Sequence, residues 1–287
     1  MKILIVLIIS FNLFARDKLI YGEDNRKEPE AYSDVYIKSL SRSVAAMIPL
    51  KNLKKTSRGY KVDKNVKSLK ETYNFCEGER FNEQPTAAIC TGFLVAPNIM
   101  VTAGHCYSNQ KLNCDETLWV FDYKNSESKE FPKKNIYRCK KVIAQKLEND
   151  SGLDFTIVEL DREVTERKPL TLSHQKPTVG IPLVLMGHPM GLPLKISDGG
   201  EVLALKETFF QANLDSFEGN SGSPVFNKGN GEVEGILVRG NQDYTMDGPC
   251  RRANHCDDDG QNCEQKNSLL AEEVVTVDNF LEILDQN

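Results

Sequence analysis

The sequence carries no excess of positive charge: 36 Lys and Arg stand against 41 Asp and Glu, for a formal net charge of −5 and a pI near 5.6. A nucleic-acid binder needs a basic face to neutralise phosphates, so that class is disfavoured from the outset. Long apolar runs are missing too, with one exception at the very start. Lys2 is followed by seven aliphatic residues from Ile3 to Ile9, and a small residue stands at Ala15. A positive start, a short apolar stretch and a small residue mark residues 1–15 as a secretory signal, too short to cross a bilayer comfortably. No later segment approaches that apolar density, so no stable membrane span is expected. Internal repeats and low-complexity tracts are absent as well.

What remains is ordinary in bulk and specific in detail. With 287 residues, 40% hydrophobic and 27% charged, the chain has the make-up of a globular protein of one large or two small domains. Three short motifs stand out. Thr102-Ala103-Gly104-His105-Cys106 follows the apolar run from Phe93 to Val101, which places a histidine at a strand end. Leu153-Asp154-Phe155-Thr156-Ile157-Val158 brings one carboxylate into a β-branched strand. Gly219-Asn220-Ser221-Gly222-Ser223-Pro224 sets a serine between glycines that allow a sharp turn. A serine hydroxyl attacks a carbonyl only when a base removes its proton and fixed donors receive the oxyanion. The chain order is His, Asp, Ser, unlike the Asp, His, Ser of subtilisins or the Ser, Asp/Glu, His of α/β-hydrolases.

On these motifs the chain resembles the trypsin-like, chymotrypsin-fold serine peptidases, in the manner of the bacterial secreted branch that includes glutamyl endopeptidases. The resemblance runs from about residue 43 to about residue 284. It implies an all-β fold of two six-stranded antiparallel β-barrels with a short C-terminal helix. It also implies no cofactor or metal, a monomer, and protein or peptide substrates. Carried over residue by residue, Ser221 is the nucleophile, His105 the base and then acid, and Asp154 the group that orients the imidazolium. Gly219 and Ser221 supply the oxyanion N–H donors. Asp150 and Asp161 are neighbouring carboxylates; Asp150 sits in a polar turn and Asp161 follows the strand, which favours Asp154. Asn220 stands where zymogen-activated members carry an Asp, so activation by that ion pair is not expected.

The resemblance further implies a disulfide between Cys90 and Cys106, 16 residues apart, beside the base. The other six cysteines allow 15 connectivities. Cys114 and Cys139 both lie between the His and Asp motifs and form the next expected pair. Cys250, Cys256 and Cys263 share one loop, so at least one must reach outside it, and Cys76 is left over. A zinc site there, with His255, has the wrong spacing, and calcium at Asp257-Asp258-Asp259 lacks a spaced ligand pattern. Of the remaining histidines, His174 is expected to be solvated and His188 to brace a turn. Bridged cysteines fit an exported protein, either extracellular or periplasmic.

Specificity is read from Asp215, six residues before Ser221, which the resemblance places at the base of the pocket, with Gly240 in its wall. A carboxylate there predicts cleavage after Arg or Lys. Arg239 stands where relatives carry Trp, and it could neutralise Asp215 or draw acidic substrates. A glutamyl preference is the alternative, against which Leu237 occupies the place of a histidine. A non-catalytic binding module on the same fold is the rival of another class; such relatives lose a triad member. The expected organisation is a signal at 1–15 and an N-terminal or propeptide-like segment at 16–75. The first barrel follows at 76–161, a linker at 162–178, and the second barrel with the helix at 179–287. Within the N-terminal segment, 20–26 is turn-rich and 51–70 reads as a lysine-rich solvated excursion or a propeptide-like linker, while strands begin near residue 43.

Overall fold

Pro97 and Asn98 interrupt the apolar run 93–101, and the chain turns back on itself there. Strands Cys90–Ala96 and Ile99–Thr102 pair antiparallel, with Phe93 opposite Val101 and Leu94 opposite Met100. This hairpin sits in the middle of the first of two large sheets in the computed structural model, which describes residues 20–107, 114–124, 130–240, 242–258 and 271–286. The expected signal at 1–15, Asp259 and Cys263 lie outside the described residues.

The first sheet runs, in spatial order, Ile136–Tyr137, Thr117–Phe121, Val44–Pro49, Cys90–Ala96, Ile99–Thr102, Asp154–Leu160 and Cys139–Leu147. Val44–Pro49 is fully buried and paired on both sides. The first barrel therefore starts well before residue 76, and the segment 16–75 is more than a lead-in. The second sheet runs Pro182–Gly187, Pro224–Asn227, Val233–Arg239, Glu272–Thr276, Phe209–Ala212 and Lys195–Leu205. Its last strand pairs back onto the first and closes a barrel, with Arg26–Lys27 added outside. The architecture is mostly β, one closed six-stranded barrel and one curled half-barrel, as a chymotrypsin-like fold requires.

Side chains alternate across these pleated strands, so each strand sends one row inward. One apolar cluster links the barrels: Phe93, Trp119 and Phe155 from the first meet Val184, Phe226, Ile236 and Val275 from the second. Gly92 is required here, because a Cβ on it would stand 2.7 Å from the fully buried Trp119 ring. The C-terminal residues spaced at 277, 280, 281 and 284 form a short turn and the helix Leu281–Asp285. Phe280 is fully buried, with its ring 5.5 Å from that of Phe155, so the tail of the second barrel is pinned to the first. Burying such a ring is worth about 2 kcal/mol.

Residues 51–70 are ordered rather than a solvated excursion. Leu53–Lys55, Gly59–Val62 and Phe131–Pro132 make a small sheet, and Ser68 caps the helix Leu69–Tyr73 in a capping box with Glu71. Disulfides join Cys90 to Cys106, Cys114 to Cys139 and Cys76 to Cys250; Cys256 is disulfide-bonded as well. Cys76 is thus the residue that the cysteine-rich loop reaches. Thiolates for the zinc alternative at Cys250 and Cys256 are consumed.

Candidate active site

His105 lies in the turn that follows Ile99–Thr102. The turn must pass close to a neighbouring strand, and Gly104 permits it: a Cβ there would come 2.1 Å from the Lys146 carbonyl oxygen. Gln145 Nε2 donates to the Gly104 carbonyl at 2.7 Å and pins the turn to that strand. Asp154 opens its own strand directly beneath and is fully buried. Its Oδ1 accepts the His105 backbone N–H at 2.9 Å, and its Oδ2 meets His105 Nδ1 at 2.8 Å. A carboxylate can only accept, so Nδ1 carries the proton and Nε2 is left as the basic nitrogen. The imidazole is 17% exposed, so the base stays open to solvent above a dry carboxylate. Asp150 and Asp161 are both exposed, and Asp161 is paired with Arg162; of the three candidates, Asp154 is the one that reaches the ring.

The serine turn belongs to the second barrel and is held to the first through Thr91, a residue the sequence did not single out. The Thr91 backbone N–H donates to the Ser221 carbonyl at 2.9 Å, and its Oγ1 donates to the Gly219 carbonyl at 3.1 Å. Thr102 Oγ1 in turn donates to the Thr91 carbonyl at 2.6 Å. Cys90, next to Thr91, is bridged to Cys106, next to His105. One short strand therefore fixes both motifs. Gly222, at φ +84°, makes the close approach possible, since a Cβ would stand 2.2 Å from the Thr91 carbonyl oxygen and 2.8 Å from Ala103 N. Gly222, next to Ser221, is thus seated against Ala103, two residues before His105.

Around the serine, the backbone N–H groups divide cleanly. Glu218 N–H goes to Asp243 Oδ2 at 3.0 Å, Asn220 to Phe217 O at 3.1 Å, Gly222 to Leu237 O at 2.7 Å and Ser223 to Asn220 O at 2.8 Å. The N–H groups of Gly219 and Ser221 have no protein acceptor among the described residues. Gly219 adopts φ +87°, and a Cβ on it would press within 2.7 Å of the His188 carbonyl oxygen. A pair of uncommitted donors on a crowded, rigid turn can receive an oxyanion.

His188 is buried and stacked on Tyr123, and its Nδ1–H donates to the Leu192 carbonyl at 2.9 Å across the 189–191 turn. Burial holds its pKa down at about 3. It braces the wall behind Gly219. His174 and His255 are exposed.

The pocket residues are placed less simply. Asp215 is buried, and its oxygens accept the backbone N–H groups of Tyr21 at 2.8 Å and Asn25 at 2.6 Å. The N-terminal segment thus receives this carboxylate, and burial raises its pKa to about 7. Burial, and then the negative charges of Glu272 and Asp215, push the Tyr21 phenol well above its usual value. Next to them Arg26, paired with Asp24, lies with its guanidinium 4.3 Å over the Phe217 ring. Arg239 does not turn to Asp215: it pairs with Glu273 at 2.6 Å and donates to the Gly152 carbonyl at 2.9 Å. That corrects the idea that it neutralises Asp215. Gly240 directly follows the same strand and is buried. Cys90, His105 and Cys106 form the one cluster with metal-ligand spacing found among the described residues, and its two sulfurs are locked in a disulfide.

Residues 90–236, just over half of the chain, match the family described as the trypsin-like peptidase domain. Among solved structures, a Glu endopeptidase is similar at a TM-score of 0.52 and 14% identity, over 93% of this chain and 98% of that one. The VesB protease of Vibrio cholerae is similar at a TM-score of 0.53 and 14% identity, over 93% of this chain and 67% of that one. Identity this low speaks for the fold alone. No curated protein matches the sequence.

Proposed function

We propose, from the premise that the chain belongs to the trypsin-like peptidase family, that it is an exported serine endopeptidase acting through Ser221, His105 and Asp154. The observation that carries this is the double grip of Asp154 on His105, which leaves Nε2 as the basic nitrogen. His105 Nε2 takes the Ser221 proton as Oγ adds to the scissile carbonyl. The oxyanion is received by the Gly219 and Ser221 N–H groups. His105 then gives the proton to the leaving amine, and an acyl-serine remains. Water, deprotonated by His105, attacks the ester and restores Ser221. Export is supported by the disulfides at three described pairs and by the apolar start of the sequence. Among the described residues no helix is long and apolar enough to cross a membrane.

Cleavage after Arg or Lys is the proposed specificity. Its support is the buried carboxylate of Asp215, six residues before Ser221. Each Asp215 oxygen keeps a lone pair beyond the N–H it already accepts. The likeness to a Glu endopeptidase argues less for a glutamyl preference, because buried Leu237 offers no group to an acidic side chain. The binding-module alternative is disfavoured because the sequence keeps a histidine, an aspartate and a serine at the three motif positions, where such relatives lose one. The test is labelling with a fluorophosphonate followed by peptide-library profiling. Labelling of Ser221 with Arg and Lys dominant before the cut is expected; an unlabelled Ser221 overturns the reading.

A further inference from the structure

Away from this site, a cleft of about 480 Å³ opens between the small sheet of residues 53–62 and 131–132 and the first barrel. That volume lies in the range of ligand sites. Its floor is apolar, formed by buried Leu118 and Ile136 with half-buried Tyr60. Its rim is cationic, although the chain as a whole is acidic. Lysines on a surface are commonly just solvated, so rim charge alone would say little. Here the rim is built. Arg162 lies 4.0 Å over the Tyr137 ring and donates to the carbonyls of Lys133 and Ile136, each at 2.7 Å, which fixes its charge and the shape of the wall. Asp161, the one acid in the lining, is committed to Arg162 and to the Arg138 backbone N–H. Lys134 pairs with Glu166. Lys55, Lys133 and Arg138 have no carboxylate partner among the described residues.

We propose that this cleft is an exosite for an acidic stretch of the polypeptide substrate, one that mixes Asp or Glu with apolar side chains. The apolar floor and the spaced cations match such a segment better than a phosphate or a sulfated sugar, which would need convergent donors and no greasy floor. The inference rests on the peptidase reading of the main site. Asp154 opens and Asp161 directly follows the same strand, seven residues on. At roughly 3.3 Å per residue that separates cleft and triad by about 23 Å. An extended peptide covers a similar length per residue, so the acidic stretch must lie about seven or more residues from the cleaved bond.

The test uses the full chain with Ser221→Ala and a fluorescein-labelled twelve-residue peptide alternating Glu with Leu, read by anisotropy beside an all-Gln analogue. Binding of the Glu peptide is expected, weakened at least tenfold by Lys133→Glu with Arg138→Glu and largely lost in 0.5 M salt, while Lys133→Arg keeps it. Lys55→Glu is the second single-site probe and should weaken binding about threefold. In the active protein, an acidic tail ten residues from the cut should lower KM about fivefold against a Gln tail, and a tail three residues away should not. The KM ratio is read within each variant, so a general loss of activity does not mimic the effect. No preference for the Glu peptide, binding that survives the double substitution, or tenfold stronger binding of a sulfated oligosaccharide overturns the proposal. Preserved binding with no turnover of any substrate would instead remove the peptidase reading and leave the cleft standing.

Discussion

Asp154 and Asp215 are both buried carboxylates that accept two N–H groups, yet their partners differ in kind. Asp154 grips a backbone and a ring nitrogen of one residue, His105, on a neighbouring turn of its own barrel. Asp215 accepts two backbone N–H groups from a segment 190 and 194 residues upstream. Near Asp154 the partner is an imidazole, which in the proposed reaction becomes cationic and would then face the carboxylate as a counter-charge. Near Asp215 the partners are neutral amides. They lower its pKa, but by less than burial raises it. Burial alone therefore does not define the role of an acid; what it faces does.

The strongest way to break the comparison is at the triad. Ser221→Ala or His105→Ala should each cost on the order of 10⁶ in kcat, since only the donors and substrate binding survive. Asp154→Asn should cost about 10⁴ by favouring the other His105 tautomer, while Asp150→Asn in the exposed turn should change kcat less than twofold. Steady-state rates on a peptide substrate check all four. An Asp150 effect exceeding that of Asp154 would transfer the orienting role.

The contrast also explains what could be read in the sequence. The place of Asp154 was legible because a single acid entering the run 155–158 marks a strand end, and the structure sets it against His105. The setting of Asp215 was not legible, because nothing in residues 20–26 announces a partner so far along the chain. Other gaps have similar causes. The hairpin at Pro97 and Asn98 hides inside what looks like one apolar run. Glu272–Thr276 opens with two glutamates, a poor start for a buried strand, yet Glu272 is fully buried and Glu273 nearly so, the latter paired with Arg239. The sheet of residues 53–62 hides among lysines that all point outward. The Cys114–Cys139 bridge is the pair expected from its place between two motifs, the sequence left open which loop cysteine joins Cys76, and Thr91 gave no signal beyond its place after Cys90.

Arg239 tests whether the two barrels hold the Asp154 turn jointly. Its guanidinium joins Glu273 of the second barrel to the Gly152 carbonyl, two residues before Asp154. Arg239→Met leaves a mostly buried glutamate without its cation. Partial exposure discounts the full cost of an unpaired buried charge, so a loss of about 2 kcal/mol in urea unfolding is expected. Glu273→Leu added to Arg239→Met should recover most of it. If the double variant is no more stable than the single one, the pair does not carry the effect.

The smallest and most informative expectation concerns the charge on Asp215. Its pKa is raised from the usual carboxylate range to about 7 by burial, so it is mostly protonated at pH 6 and mostly ionised at pH 8. An ionised carboxylate attracts an Arg or Lys side chain and a neutral one does not. The ratio of kcat/KM for an Arg substrate to that for an isosteric neutral substrate should therefore rise about tenfold between pH 6 and pH 8, following the ionised fraction. Taking the ratio cancels the titration of His105, which acts on both substrates alike. Asp215→Ser should flatten the ratio and lower it at pH 8. A flat ratio in the unaltered protein would mean that the N-terminal amides keep Asp215 to themselves and that it does not set the preference before the cut.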